Sequence, residues 1–365
     1  MSPLEALTAL NLLPRIGPVR VRRLLETFGT PEAILRASKD RLVRVDGIGE
    51  ETAKILTSWQ DHADPIAELR EAAERGISIV TQDDEDYPAP LREAYDPPLL
   101  LYVWGKIEPR DRHGIGVVGS RRSTIYGNQS TKKLSYQLAH AGFTIISGLA
   151  RGIDTAAHEA AIAANGRTIA VLGSGMARLY PPENLGLAEK IANGFGAVVS
   201  EFPLNTPPDK QTFPMRNRIV ASWSRAVLVV ECPLWSGSLI TANLASEYGK
   251  TVFAVPGPID KPTSAGCNQL IRDGATLVTD ASQILDDLGQ LPLSSATSVD
   301  MPSAPVPELP EDEAAVFAAV TADDQPVDRI IEKTGLPAQV VTATLMKLEM
   351  RKLVRAFPGF RYARR

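Results

Sequence analysis

Apolar positions along this chain follow distinct patterns in successive stretches. Up to about residue 62 they are spaced as in short helices, with little β-branched clustering. Two glycine turns break that pattern, Pro14-Arg15-Ile16-Gly17-Pro18 and Val45-Asp46-Gly47-Ile48-Gly49, and a helical segment follows each (Val21–Leu25 and Thr52–Leu56). From about residue 113 the pattern changes to continuous apolar runs separated by helical segments. The runs are Ile115–Val118, Thr144–Ser147, Thr168–Leu172, Ala197–Ser200, Ala226–Glu231, Thr251–Val255 and Thr276–Val278. Such strands have no polar face, which predicts a mainly parallel sheet covered on both sides by the intervening helices. Between these regions, residues 63–110 predict a helix (Pro65–Arg75), a strand (Ile77–Thr81) and a Pro-rich turn around Tyr87–Leu91.

Five prolines at 292, 302, 305, 307 and 310, set among Ser and Ala, give residues 289–310 the composition of a linker. Beyond it, helices are expected at about 311–320, 326–334 and 337–350, then strands Leu353–Phe357 and Phe360–Tyr362. Three helices and a strand pair describe a winged-helix-like unit. The expected organisation is therefore a helical SAM/helix-hairpin-helix-like domain (1–62), an extended Rossmann-like α/β domain (63–288), a linker (289–310) and a winged-helix-like domain (311–365).

Composition narrows the function classes. With 39 Lys and Arg against 43 Asp and Glu the formal net charge is −4, so any nucleic-acid binding must come from local patches. Only Cys232 and Cys267 occur, which argues against a disulfide framework or a Cys-rich zinc module and fits a reducing cytoplasm. The first residues lack the basic start of a signal peptide, and no apolar run approaches membrane-spanning length. Four scattered histidines (62, 113, 140, 158) make a metal site unexpected.

Four strand-to-helix turns carry small residues: Gly119-Ser120-Arg121-Arg122-Ser123-Thr124, Ser147-Gly148-Leu149-Ala150-Arg151-Gly152, Gly173-Ser174-Gly175 and Ser236-Gly237-Ser238-Leu239-Ile240-Thr241. In a parallel sheet all such turns lie at the carboxyl edge, where these folds bind ligands. Glycine lets backbone approach an anion, helix N-termini offer N–H groups, and Arg121, Arg122 and Arg151 add charge for phosphate oxygens. A second cluster, Lys210, Arg216 and Arg218 with Phe213 and Asn217 between them, suits a sugar–phosphate chain with a base stacked nearby. Trp223 and Trp235 are expected in the core. Dinucleotide and P-loop readings are weak, because Gly114-Ile115-Gly116-Val117-Val118-Gly119 lies inside a strand and Gly249-Lys250-Thr251 leads into one.

No catalytic constellation assembles. Asp154 is expected to favour the start of its helix, with His158 as a packing or network residue. Glu201 and Glu231 fit either acid–base groups or ion-pair anchors for the basic loops. The two glycine turns read either as a tandem helix-hairpin-helix, whose backbone N–H groups touch phosphates, or as SAM-like helical packing; in the first case Arg15, Gly17 and Arg20, with Arg22 and Arg23 around the first hairpin, are accessory phosphate contacts. Glu50 and Glu51 leave the second hairpin ill suited to that role. Residues 347–365 hold seven basic residues and one acid, a surface suited to nucleic acid or a protein partner.

Taken in order, several strings resemble the DNA-processing protein A (DprA, or Smf) family. They include Val118-Gly119-Ser120-Arg121, Ser147-Gly148-Leu149-Ala150-Arg151-Gly152-Ile153-Asp154 with His158, and Tyr180-Pro181-Pro182-Glu183-Asn184. Further strings are Phe213-Pro214-Met215-Arg216-Asn217-Arg218-Ile219, Ser236-Gly237-Ser238-Leu239-Ile240-Thr241-Ala242 and Gly266-Cys267-Asn268-Gln269-Leu270-Ile271. The resemblance implies a dimeric, cofactor-free protein that binds single-stranded DNA, protects incoming strands in natural transformation and helps load the RecA recombinase. It assigns the phosphate pocket to Gly119, Ser120, Arg121, Ser147, Gly148 and Arg151, lined also by Arg216, Asn217 and Arg218. The alternative is a nucleotide phosphoribohydrolase of the lysine-decarboxylase-like group, whose Pro-Gly-Gly-x-Gly-Thr loop the segment Trp235–Thr241 does not match.

Overall fold

The structure is a computed structural model that describes residues 1–289, 309–321, 324–351, 353–357 and 359–364. Most of the expected linker, residues 290–308, lies outside the described residues. The described chain forms two compact units, one of residues 1–122 and 131–289, the other of residues 123–130 and 309–364.

The larger unit opens with helices α1 (Pro3–Leu12), α2 (Pro18–Phe28), α3 (Pro31–Leu35), α4 (Lys39–Leu42), α5 (Glu50–Thr57) and α6 (Pro65–Glu74). Gly17 and Gly49 stand at the N-caps of α2 and α5, so each glycine turn of the sequence starts a helix. Leu10, Val21, Leu24, Ile34, Leu42 and Leu56 bury completely into a core of their own.

Nine strands follow: β1 (Ser78–Thr81), β2 (Leu100–Gly105), β3 (Gly114–Val118), β4 (Thr144–Ser147), β5 (Thr168–Val171), β6 (Gly196–Ser200), β7 (Ser224–Val229), β8 (Thr251–Ala254) and β9 (Thr276–Leu277). They form one sheet in the order 1-2-6-5-4-3-7-8-9. Strands β3 to β9 are parallel, while β2 pairs antiparallel with both β6 and β1. All seven strands expected from residue 113 onward are present. The strand Leu100–Gly105 was not anticipated, because it joins its neighbours without a crossover helix.

Alternation within each strand feeds two cores. Ile115, Val117, Ala226 and Leu228 face helices that supply Leu134, Leu138, Ile153 and Ile284. Val118, Val227 and Val229 face the other way, against Ile219, Val220 and Trp223 of the Thr212–Trp223 helix. Trp223 is buried, as expected, and its indole N–H donates to the Asp111 carbonyl at 3.1 Å. Strands β3 to β7 are thus buried along nearly their whole length, as the centre of a doubly covered parallel sheet requires.

The smaller unit holds helices Glu311–Ala319, Val327–Thr334 and Ala338–Met350 and a three-stranded sheet of Gln325–Pro326, Arg361–Arg364 and Val354–Phe357. Val316, Ile330, Val341, Leu345 and Leu348 fill its core. The expected three helices and strand pair are present, with one added short strand.

Candidate nucleic-acid interface

Strand order reverses between β3 and β7, each leaving toward a different side of the sheet. At such a switch point the two outgoing turns diverge and leave a crevice at the carboxyl edge. Here the crevice is an open groove of about 600 Å3. One wall is Gly119, Ser120, Arg121 and Arg122 after β3; another is Trp235, Ser236, Gly237 and Ser238 after β7; Lys210, Phe213 and Asn217 close it.

The two turns are fixed before any ligand arrives. Ser120 donates its backbone N–H to the Glu231 carbonyl at 2.7 Å, stitching β3's turn to β7's. Its hydroxyl accepts from the Arg122 amide at 3.1 Å. Ser236 caps the Gly237–Glu247 helix by accepting from the Ser238 amide, and no acidic residue occupies that helix's first turn. Asn217 donates to the Gly237 carbonyl at 3.2 Å and ties the third wall to this helix start. The helix N-terminus therefore faces the groove with its positive dipole end unopposed.

The cations divide sharply. Arg121 is exposed, lies 4.7 Å from the centre of the Phe213 ring, and hydrogen-bonds nothing among the described residues. Arg122 and Lys210 are likewise exposed, with no side-chain hydrogen bond or ion pair among the described residues. Arg216, only 4% exposed, forms part of the groove's floor; it donates to the Gly148 carbonyl at 2.6 Å and to that of Val171. Burial pushes its pKa down to about 10, against the pull of Asp154, so it remains charged near neutrality. Gly148 is glycine because a Cβ there would overlap the Arg216 guanidinium.

Of the four small-residue turns, two open on the groove. The turn after β4 is largely consumed by the fold. Ser147 donates to the Val117 carbonyl at 2.6 Å, and the Gly148 and Ala150 amides donate to buried Asp154 at 3.1 and 3.3 Å. Asp154 and Ala150 still line the groove. Burial raises the Asp154 pKa, opposed by Arg216. The turn after β5 packs instead of binding: a Cβ on Gly173 would stand 2.6 Å from Phe213, and Ser174 is buried. Arg151 pairs with Glu183 and lies over Tyr180, whose ring meets Phe213 at 5.9 Å. Arg218 is not brought to the groove; its guanidinium faces Glu201 and Asp96, the latter at 3.1 Å. Glu201 is thus an ion-pair anchor. Thr241 lines the groove from below the helix start, and Ser123 hydrogen-bonds Asn128 at 3.0 Å.

His158 is fully buried, with Nδ1 2.6 Å from the Thr168 hydroxyl. Burial pushes its pKa down to about 3. It is a buried packing residue tied to the start of β5, within the packing or network role expected of it. Trp235 corrects its expectation: its indole is 97% exposed on the groove wall. Trp223 and Trp235 both flank strand ends, and nothing local in the sequence tells the exposed one from the buried one.

At the first hairpin the arginines are engaged internally. Arg15 pairs with Glu51 at 2.5 Å, Arg23 with Asp46 at 2.8 Å, and Arg20 donates to the Gly47 and Arg15 carbonyls. In the smaller unit, Arg351 pairs with Glu313 and Arg361 with Asp324, at 2.8 and 2.7 Å. Among the described residues, no group of acidic, His and Cys side chains has a metal-binding arrangement, and no helix is long and apolar enough to cross a membrane.

A Rossmann-like sheet with a cationic groove at its switch point, accompanied by helix-hairpin-helix and winged-helix elements, defines a class of nucleic-acid-handling protein. The chain belongs to the DNA recombination-mediator protein A family, whose sequence profile matches residues 78–289. Profiles of the DprA winged helix domain and of a SAM-like helix-hairpin-helix tandem match residues 300–359 and 7–57. Protein Smf of Synechocystis sp. is 37% identical over 96% of each chain. The crystal structure of DNA processing protein A from Streptococcus pneumoniae is similar with a TM-score of 0.68 and 34% identity, over 79% of this chain and 98% of that one. A Helicobacter pylori DNA processing protein A structure, which describes that protein's single-stranded DNA binding mode, gives a TM-score of 0.52 and 30% identity over 58% and 95%.

Proposed function

We propose that the chain binds single-stranded DNA along the switch-point groove, protects incoming strands during natural transformation and helps load the RecA recombinase onto them. The observation that carries the binding reading is the set of three cations, Arg121, Arg122 and Lys210, left without hydrogen-bonding partners around an open groove. A phosphate chain satisfies them, with the start of the Gly237–Glu247 helix supplying backbone donors. Phe213, in the same groove, offers a ring to a base, and a flat ring takes any base. Gly119, Ser120, Ser236, Gly237 and Ser238 are the proposed backbone and hydroxyl contacts. Ser147, Gly148, Gly173 and Arg216 are proposed to hold the groove's shape.

Strand protection and recombinase loading rest on the family resemblance, as does a cytoplasmic homodimer formed through the sheet domain.

The test is fluorescence anisotropy with a labelled single strand, an equal-length duplex and a mononucleotide at two salt concentrations. The expected result is preferential single-strand binding that weakens with salt and is impaired in Arg121→Ala. Unchanged affinity and salt slope in Arg121→Ala, or a mononucleotide that binds more tightly than the oligomer, overturns the reading and favours a nucleotide-processing enzyme.

A further inference from the structure

We infer that Trp235 is a second base-stacking station, so that the groove holds two successive nucleotides with a phosphate anchored between them. The inference rests on the proposed binding of single-stranded DNA and deepens it. Four observations point to it.

First, Trp235 is 97% exposed, although an indole is among the largest apolar surfaces a side chain can bury. Among the described residues no ring, cation or hydrogen-bond acceptor contacts it. Second, it lines the same groove as Arg121, Lys210 and Phe213. Third, it directly precedes Ser236, the cap of a helix of 11 residues with no acid in its first turn. A phosphate held at that helix start has its own nucleoside within reach of the adjacent ring, because base and phosphate are covalently tied. Fourth, the groove's other aromatic is already partly covered. Phe213 has the Arg121 guanidinium 4.7 Å from its centre and the Tyr180 ring tilted against it at 51°. Phe213 is thus a platform braced by the protein, whereas Trp235 stands open for a base.

The ligand class is a nucleobase within a single-stranded chain. Stacking on a flat indole reads no base edge, so the station is tolerant of sequence. A mononucleotide occupies one station and leaves the other empty, which gives oligomers their advantage over monomers.

The experiment titrates the full-length protein with thymidine and adenosine homo-oligomers, following the anisotropy of labelled DNA and the indole emission together. Trp235→Ala is expected to lower single-strand affinity about tenfold, the worth of one stacked base. The slope of log affinity against log salt stays unchanged, because no charge is removed. Trp235→Phe keeps most of the affinity but loses the emission quench that a base stacked on Trp235 gives the wild type. The remaining tryptophans, 59, 104 and 223, are not part of the groove. Both variants are expected to keep the wild-type Tm, given the exposure of the site. Wild-type affinity in Trp235→Ala, or a full quench in Trp235→Phe, overturns the inference while leaving the groove reading intact. Absence of single-strand binding by the wild-type chain overturns both.

Discussion

Two arginines at opposite edges of one sheet are used in opposite ways. Arg167, just before β5 at the amino edge, is 7% exposed and donates to both oxygens of Asp111 at 2.8 Å. It also reaches Glu108 at 3.0 Å and the Lys106 carbonyl at 2.7 Å, while Thr144 donates its hydroxyl to Asp111 at 2.8 Å. Arg121, at the carboxyl edge, is exposed, lies over the Phe213 ring and makes no hydrogen bond or ion pair among the described residues. Folding pays the desolvation of Arg167 and pairs it in full. It leaves Arg121 solvated, with its donors unspent. A charge that folding does not use is available to a ligand, and that distinction separates the groove from the other basic regions.

The largest expected effect lies at the amino edge. Arg167→Ala strips Asp111 of its bidentate partner and leaves a buried carboxylate with only the Thr144 hydroxyl and the Glu108 amide as donors. Loss of one member of such a pair costs about 3–5 kcal/mol. Chemical denaturation is expected to report that loss, while any folded fraction binds single strands with unchanged affinity. A drop in affinity at full stability would break the contrast between the edges.

His158 sharpens it next. Its folded pKa, about 3, lies below the unfolded value of 6.5, so the unfolded chain binds the extra proton first as pH falls. The stability it contributes is complete above pH 6.5 and is lost progressively toward pH 3. The loss is on the order of 2 kcal/mol at pH 5. Burial raises the pKa values of Asp154 and Glu201, which acts in the opposite sense. The measurement is therefore the difference in pH slope between wild type and His158→Gln, between pH 8 and pH 5. Equal slopes would mean that His158 takes up a proton in the folded state.

Arg121→Ala is expected to cost about tenfold in single-strand affinity and to flatten the salt slope by about 0.7, the share of one phosphate on a single strand. Stability should change by at most about 1 kcal/mol, the worth of one exposed cation–π contact with Phe213. A large stability loss would show that Arg121 is spent on the fold after all.

Much of this contrast is legible in the sequence, but not all. Continuous apolar runs separated by helices identify the parallel sheet, and the small-residue turns identify its carboxyl edge. Which turns face the groove is set by strand order, and strand order is not written in local pattern. Only the turns flanking the reversal between β3 and β7 open fully on the groove, so Ser147 and Ser174 end inside the protein. Arg216 and Arg218 look equivalent as charges, yet two residues on a helix are roughly 200° apart around its axis. One meets the carbonyls at the sheet edge and the other meets Glu201 and Asp96. The strand Leu100–Gly105 is also missing from the sequence reading, because it pairs antiparallel outside the alternation of strands and helices that identifies the parallel sheet.

The smallest effect is expected at the first hairpin, and it is the most direct test of whether occupied charges are unavailable. Arg15 and Glu51 are 68% and 80% exposed, so their ion pair contributes at most about 1 kcal/mol to stability. Exchanging Glu51 for a phosphate replaces one solvated ion pair with another of similar strength, and the net gain is near zero. Arg15→Ala should therefore change single-strand affinity by less than about twofold, within the range of a weak surface pair. Glu51→Gln separates two meanings of such a null effect. If the hairpin lies along the bound strand, the freed Arg15 steepens the salt slope by about 0.7 and tightens binding. If it lies away from the strand, both variants match the wild type at every salt concentration. A tenfold loss in Arg15→Ala would break the comparison, because it would require Glu51 to surrender its partner to DNA at a clear gain in free energy.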